Sequence, residues 1–280
     1  MSTMTQTEDV ETWSGKDRGD ENFPVGSWLI ERRFRKPMHC FYAFARNADD
    51  IADSPVLSPE DKIRRLDIME EVLLGHRDVG SRSALALRHS LAETRVRAIH
   101  AQELLVAFRR DATQLRYESI DDLYDYCRYS AVPVGRYVLD LHGERHECYS
   151  PSDALCMSLQ ILNHIQDSAK DLKALNRCYL PLALMRHFNC SVEDLLRPAE
   201  SRGIRRVFDT LLDRINRLNL AASELPEIAV NMRLRLECAV ILGLALRLTA
   251  RLSQHDPIAK RVKLTRTDAL MSVMLSVFKL

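Results

Sequence analysis

The sequence predicts an all-α protein, and three observations carry that expectation. The 280 residues hold only nine glycines and ten prolines, too few for a β-sandwich or barrel that turns tightly every ~8–12 residues. Helix-start signals recur along the chain. Between them apolar residues return at intervals of three and four, and sustained period-two alternation is missing. With 46% hydrophobic and 28% charged residues the chain can bury a full core, so a single helical domain over residues 21–280 is expected.

Residues 1–20 are polar and acidic and contain no apolar h-region, so they read as a loose tail and not as a signal peptide. Helices are predicted over residues 24–35 and 37–53. Ser58-Pro59-Glu60-Asp61 supplies an N-cap, a proline at the first helical position and an acid in the first turn, which opens a helix over 58–75. Ile63, Leu66, Met69 and Leu73 form its apolar stripe. Periodicity places further helices over 82–94, 99–115 and 120–141. Ser150-Pro151-Ser152-Asp153 repeats the capping device ahead of a helix over 151–173, whose stripe is Leu155, Leu159, Leu162 and Ile165. Helices over 180–188, 200–220 and 226–252 follow, and Thr265-Arg266-Thr267-Asp268 caps the last, 266–279. No internal repeat and no Pro/Ser/Gly linker divides the chain.

Charge and cysteine usage exclude several functions. Forty Lys and Arg against 39 Asp and Glu leave a net charge of +1, without the basic footprint of a nucleic-acid binder. The seven cysteines are odd in number and never spaced C-x-x-C, so neither a disulfide framework nor a zinc cluster is indicated and a reducing cytoplasm fits best. The longest apolar run, Cys238 to Leu246, is about half the ~20 residues that a membrane span needs. The last stretch, Asp268 to Leu280, is amphipathic. Packing on the core is its plainer role, and peripheral contact with the inner face of a membrane is the other.

Two segments carry chemistry. In the first, Tyr42, Arg46, Asp49 and Asp53 are spaced by four, three and four residues along one helix face, with Asp50 three before Asp53. Like charges at i, i+4 destabilise an isolated helix by ~0.2–0.5 kcal/mol unless a cation occupies them. The flanking Cys40, Phe41, Phe44, Ala48 and Ile51 look buried, which argues against a solvated acidic helix end. In the second, Asn163, Asp167 and Asp171 step by four, with Gln166 and Lys170 beside them. All are hard oxygen ligands or anion partners. Such donors suit Mg²⁺, which is held by one or two carboxylates together with substrate phosphates, whereas zinc would want His or Cys.

Asp49-Asp50-Ile51-Ala52-Asp53, and Asn163-x3-Asp167-x3-Asp171 with Arg177-Cys178-Tyr179-Leu180-Pro181 behind it, resemble the two signatures of the squalene/phytoene synthase family. The resemblance runs from Glu21 to about Asp268. Within it, Glu21-Asn22-Phe23-Pro24-Val25, Phe108-Arg109-Arg110-Asp111 and Tyr126-Cys127-Arg128-Tyr129-Ser130-Ala131-Val132-Pro133-Val134-Gly135-Arg136 are similar to the HpnC branch, the hydroxysqualene synthases of hopanoid-making bacteria.

The resemblance implies an all-α isoprenoid (terpenoid) synthase fold around a central cavity, with two acidic segments holding two or three Mg²⁺ ions against a prenyl diphosphate. Carried over by motif, Asp49, Asp50, Asp53, Asn163, Asp167 and Asp171 are the metal-site residues. Tyr42, Arg46, Gln166, Lys170, Arg177, Tyr179 and Arg261 contact the diphosphate or complete the site, and Phe23, Phe44, Tyr126 and Tyr129 line the cavity. Gln166 stands where carotenoid-type relatives carry Arg, so one diphosphate contact differs, and Val132 stands where the HpnC branch generally carries Asn. No G-x-G-x-x-G nicotinamide signature occurs.

The activity so implied is Mg²⁺-dependent conversion of presqualene diphosphate and water to hydroxysqualene and diphosphate. It would be a cytoplasmic step of squalene and hopanoid synthesis, with hand-over to neighbouring enzymes of that route. Head-to-head condensation of two farnesyl or geranylgeranyl diphosphates is the alternative within the family. A non-catalytic helical assembly partner is the alternative from another class, and the oxygen ligands retained in both segments speak against it.

Overall fold

The computed structural model describes residues 9–11 and 30–279. Their contacts gather into two compact units, one of residues 9–11 and 31–113, the other of residue 30 and residues 114–279. The boundary between Thr113 and Gln114 carries no linker composition that would mark it.

The first unit holds α1 (Arg32–Asp53), α2 (Pro59–Leu74), α3 (Arg82–Thr94) and α4 (Ile99–Thr113). Two helices separated near Pro37 were expected, but α1 runs through Pro37 without a break. The proline stands early in the helix, where it deprives only the carbonyl of exposed Arg33 of its i+4 donor, and its ring is buried. The residues of the expected 24–35 helix that precede residue 30 lie outside the described residues. Ser58 caps α2 by accepting from the Asp61 amide at 3.2 Å, and Gly75 ends it in the left-handed conformation at φ 80°. α1 packs on α3 and α4, and α2 packs on the same pair. Their shared core contains Phe44, Ile51, Leu66, Met69, Leu87, Leu104 and Leu105, each worth about 1.5–3 kcal/mol of burial.

Three residues of the expected loose tail are held against this unit. The Val10 amide donates to the Gly80 carbonyl at 2.9 Å, and Arg65 donates to the Val10 carbonyl at 2.8 Å. Glu11 accepts from the Ser81 hydroxyl at 2.6 Å and the Ser83 amide at 2.7 Å, where it meets the positive end of α3.

The second unit contains α5 (Ile120–Ser130), α6 (Val132–His142), α7 (Tyr149–Leu175), α8 (Leu182–His187), α9 (Arg202–Ala222), α10 (Leu225–Ile228), α11 (Met232–Gln254) and α12 (Arg266–Lys279). Two short 3₁₀ turns, His146–Cys148 and Val192–Leu196, were not anticipated. The helix expected over 120–141 is broken at Ala131 (φ −130°, ψ −45°), because Pro133 near the start of α6 has no amide to continue α5. The helix expected over 226–252 is likewise two. Asn231 opens α11 by accepting from the Arg233 and Leu234 amides. Among the described residues the only β feature is an isolated bridge between Arg116 and Cys178.

α7 is the centre of this unit, packing on α5, α6, α9 and α11. A buried polar chain fixes it there: Ser158 donates to Asn219 of α9 at 2.6 Å, and Asn219 donates to Thr249 of α11 at 3.3 Å. α12 packs on α11; among its described side chains Asp268, Ser272 and Ser276 are buried, while Leu270, Met271 and Met274 are exposed. Gly243 permits the approach, as a Cβ there would stand 3.2 Å from Ser272. No helix among the described residues is long and apolar enough to cross a membrane.

Candidate active site

The first acidic ladder occupies the last three turns of α1. Arg46 serves two carboxylates at once, with Nη1 at 3.0 Å from Asp49 and Nη2 at 2.9 Å from Asp50. The side chain of Asp50 is the more enclosed, at 8% exposed against 32% for Asp49. Tyr42 lies one turn earlier and Asp53 closes the helix, both half-buried. Lys62 of α2 donates to the Ala52 carbonyl at 2.8 Å, placing a cation at the negative end of α1 beside Asp53. The sequence offered no reason to single out Lys62, because its partner is a backbone carbonyl in another helix. Phe44 is completely buried and packs in the core of the first unit, so the cavity-lining role expected of it is replaced by packing. Phe23 lies outside the described residues.

The second ladder belongs to α7. Asn163, Asp167 and Asp171 follow one another at single turns and are each half-buried, with Lys170 exposed at their side. Arg261, from the segment between α11 and α12, donates from Nη2 to Asp167 Oδ2 at 2.7 Å. Its Nε stands 2.6 Å from Asp167 Oδ1, so the guanidinium meets both oxygens of that carboxylate. Gln166, expected to face the diphosphate, is buried and donates to the Val262 carbonyl at 2.5 Å. It thereby ties down the segment that delivers Arg261. Arg177 is also buried, and its amide donates to the Asp171 carbonyl at 3.3 Å as α7 ends in left-handed Asn176.

Beside this ladder lies a group of rings that the sequence showed only in part. The segment after α7 runs along residues 115–118: the Cys178 amide donates to the Leu115 carbonyl at 3.0 Å, and the Leu182 amide to the Tyr117 carbonyl at 2.9 Å. This pairing brings Tyr117 and Tyr179 together at 5.5 Å between ring centroids, with Tyr126 of α5 at 5.2 and 5.1 Å from them. His164 of α7 stacks on Tyr179 at 3.8 Å. Burial pushes the His164 imidazole down to about 3, so it is neutral. Tyr129 is not in these ring contacts and lies half-buried with the Arg128 guanidinium 5.4 Å above its ring. Tyr117 was missed because only the pairing of two distant segments reveals it. His164 was visible as the neighbour of Asn163, but nothing in the sequence told of its ring partners.

Among the described residues no three His, Cys, Asp or Glu side chains gather closely enough to hold a metal ion by themselves. In both ladders acids are already met by a guanidinium, Arg46 in the first and Arg261 in the second.

The family model for squalene/phytoene synthase matches residues 16–268. The chain belongs to the squalene/phytoene synthase family. Within that family it is 44% identical over 251 residues to a hydroxysqualene synthase of Rhodopseudomonas palustris, covering 90% of this chain and 86% of that one. The solved structure of squalene synthase HpnC from Alicyclobacillus acidocaldarius superposes with a TM-score of 0.72 at 31% identity, covering 83% of this chain and 88% of the other. A dehydrosqualene synthase solved with a ligand reaches a TM-score of 0.74 at 19% identity over 92% of this chain and 91% of that one, a likeness of fold.

Proposed function

We propose that this member of the squalene/phytoene synthase family converts presqualene diphosphate and water to hydroxysqualene and diphosphate in the presence of Mg²⁺. The observation that carries the proposal is the 44% identity, over 90% of the chain, to a protein named for that product. The two acidic ladders supply the chemistry it needs.

The donor set fits a hard cation. Asp49, Asp50 and Asp53 of the first ladder, and Asn163, Asp167 and Asp171 of the second, all offer oxygen. Held by such carboxylates together with a diphosphate, Mg²⁺ would neutralise leaving-group charge, so that the carbon–oxygen bond breaks without a strong protein acid. Arg46 and Arg261 sit at the ladders as guanidinium donors, matched to diphosphate oxygens as well as to their present carboxylate partners. Lys170 adds an exposed cation beside the second ladder, and Arg177 and Tyr179 follow its last residue. Tyr117, Tyr126 and Tyr179 offer ring faces that stabilise a carbocation by ~0.5–2 kcal/mol each where water is excluded. Gln166 is committed to Val262 and therefore supplies no arginine-like hold on a second diphosphate, which favours the one-substrate reaction over condensation.

The apolar substrate calls for contact with a membrane surface, and the exposed Leu270, Met271 and Met274 of α12 are the side chains we assign to it. The reaction belongs to squalene and hopanoid synthesis and uses no nicotinamide.

Asp53→Ala and Asp167→Ala test the ladders. Each is expected to abolish release of diphosphate from presqualene diphosphate while circular dichroism shows a folded protein. A folded, active variant of either kind would remove the metal assignment.

A further inference from the structure

Nε2 of His164 is enclosed in the protein and has no hydrogen-bond partner among the described residues. The residue is 7% exposed and lies against two rings: Tyr179 stacked at 3.8 Å with planes 20° apart, and Tyr126 at 5.8 Å. A buried ring nitrogen without a partner is unfavourable, and an apolar ring of the same shape would fill the position without that loss. Stacking on Tyr179 also fixes the plane of the imidazole, and with it the direction in which Nε2 points. On α7 His164 follows Asn163 directly and precedes Asp167 by three residues and Asp171 by seven, so it flanks the ladder face.

We infer that His164 holds the water molecule that attacks the carbocation, and so decides that the product is an alcohol and not a hydrocarbon. This rests on the function proposed above. Tyr117, Tyr126 and Tyr179 stand ring to ring beside the imidazole, and such faces favour a positive charge. Nε2 of His164 is the atom at which a single water would be held there.

The chemistry balances with this chain and its substrate alone. The carbon–oxygen bond of presqualene diphosphate breaks and its electron pair leaves on the diphosphate. After rearrangement of the cation, a lone pair of the held water forms the new carbon–oxygen bond, while one of its O–H groups donates to Nε2. The proton then lost goes to an oxygen of the released diphosphate. His164 thus positions the water and is not the group that takes its proton.

The test compares wild type, His164→Phe, His164→Leu and His164→Gln, each with Mg²⁺ and presqualene diphosphate. Diphosphate release, the alcohol-to-hydrocarbon ratio by gas chromatography and mass spectrometry, and the melting temperature are measured. His164→Phe keeps a ring against Tyr179 and removes the nitrogen. It is expected to melt no lower than wild type and to release diphosphate within about threefold of it, yet to lose about tenfold in alcohol-to-hydrocarbon ratio as the cation gives up a proton instead. His164→Gln, whose amide reaches the position of Nε2, is expected to restore most of that ratio. A merely structural histidine would change the melting temperature and total turnover but not the ratio. A folded His164→Phe protein with the wild-type ratio overturns the inference; should that variant not fold, His164→Leu is read in its place by the same criterion. Wild-type protein that makes no alcohol overturns both this inference and the proposed function, whereas alcohol from wild type and from His164→Phe alike overturns the role of His164 alone.

Discussion

At Gln166, one side chain separates what composition can tell from what position decides. It sits among ladder residues and reads as a ligand contact, yet it is buried and bonds to the Val262 carbonyl across 96 positions of sequence. Its job is to place Arg261 against Asp167. Gln166→Leu leaves that carbonyl without its donor, an expected loss of ~1–3 kcal/mol in stability. Kinetically, KM for the diphosphate substrate should rise several-fold with a smaller change in kcat, because a positioning contact and not a reacting group is lost. A steady-state comparison checks this, and an unchanged KM would detach Gln166 from the Arg261 segment. The acids themselves were legible from i, i+4 spacing alone. Tyr117 and the surroundings of His164 were not, since they depend on the pairing of residues 115–118 with the segment after α7.

The helices follow their caps where caps exist. α3 runs over the residues expected of it, with Ser81 accepting from the Ala84 amide at its start. Misplaced breaks came from prolines, whose effect depends on where in a helix they fall: Pro37 is absorbed by α1, while Pro133 parts α6 from α5. α12 shows how a helix end senses pH. Burial raises the Asp268 carboxyl, but hydrogen bonds from Thr265 and Arg251 outweigh it and hold the group below its ordinary value of 3.8. A carboxylate depressed in the folded state stabilises above its unfolded value, and the contribution is lost as pH falls through the folded one. Docking of α12 is therefore expected to be constant through mild acid and to weaken only below about pH 3.8. Asp268→Asn should weaken it at neutral pH as well. Hydrogen exchange of the α12 amides reads both effects, and equal protection in the variant and wild type at pH 7 would contradict them.

Across the whole molecule, the sequence conveyed that the chain is helical and that it carries two acidic helix faces, while the division into two units stayed hidden because no change of composition marks residue 113. The C-terminal stretch is amphipathic in sequence, and among its described side chains Asp268, Ser272 and Ser276 are buried while Leu270, Met271 and Met274 point outward. Their joint replacement by Gln is expected to abolish sedimentation of the protein with anionic vesicles and to leave turnover of detergent-dispersed substrate intact. Unchanged sedimentation would move the membrane contact elsewhere.

The proposed function is tested most directly by offering the purified protein presqualene diphosphate or farnesyl diphosphate, each with Mg²⁺ and without nicotinamide, and identifying the products by gas chromatography and mass spectrometry. Hydroxysqualene from presqualene diphosphate, and no product from farnesyl diphosphate, is the expected result. Presqualene diphosphate or squalene formed from farnesyl diphosphate, or no alcohol from presqualene diphosphate, would contradict it.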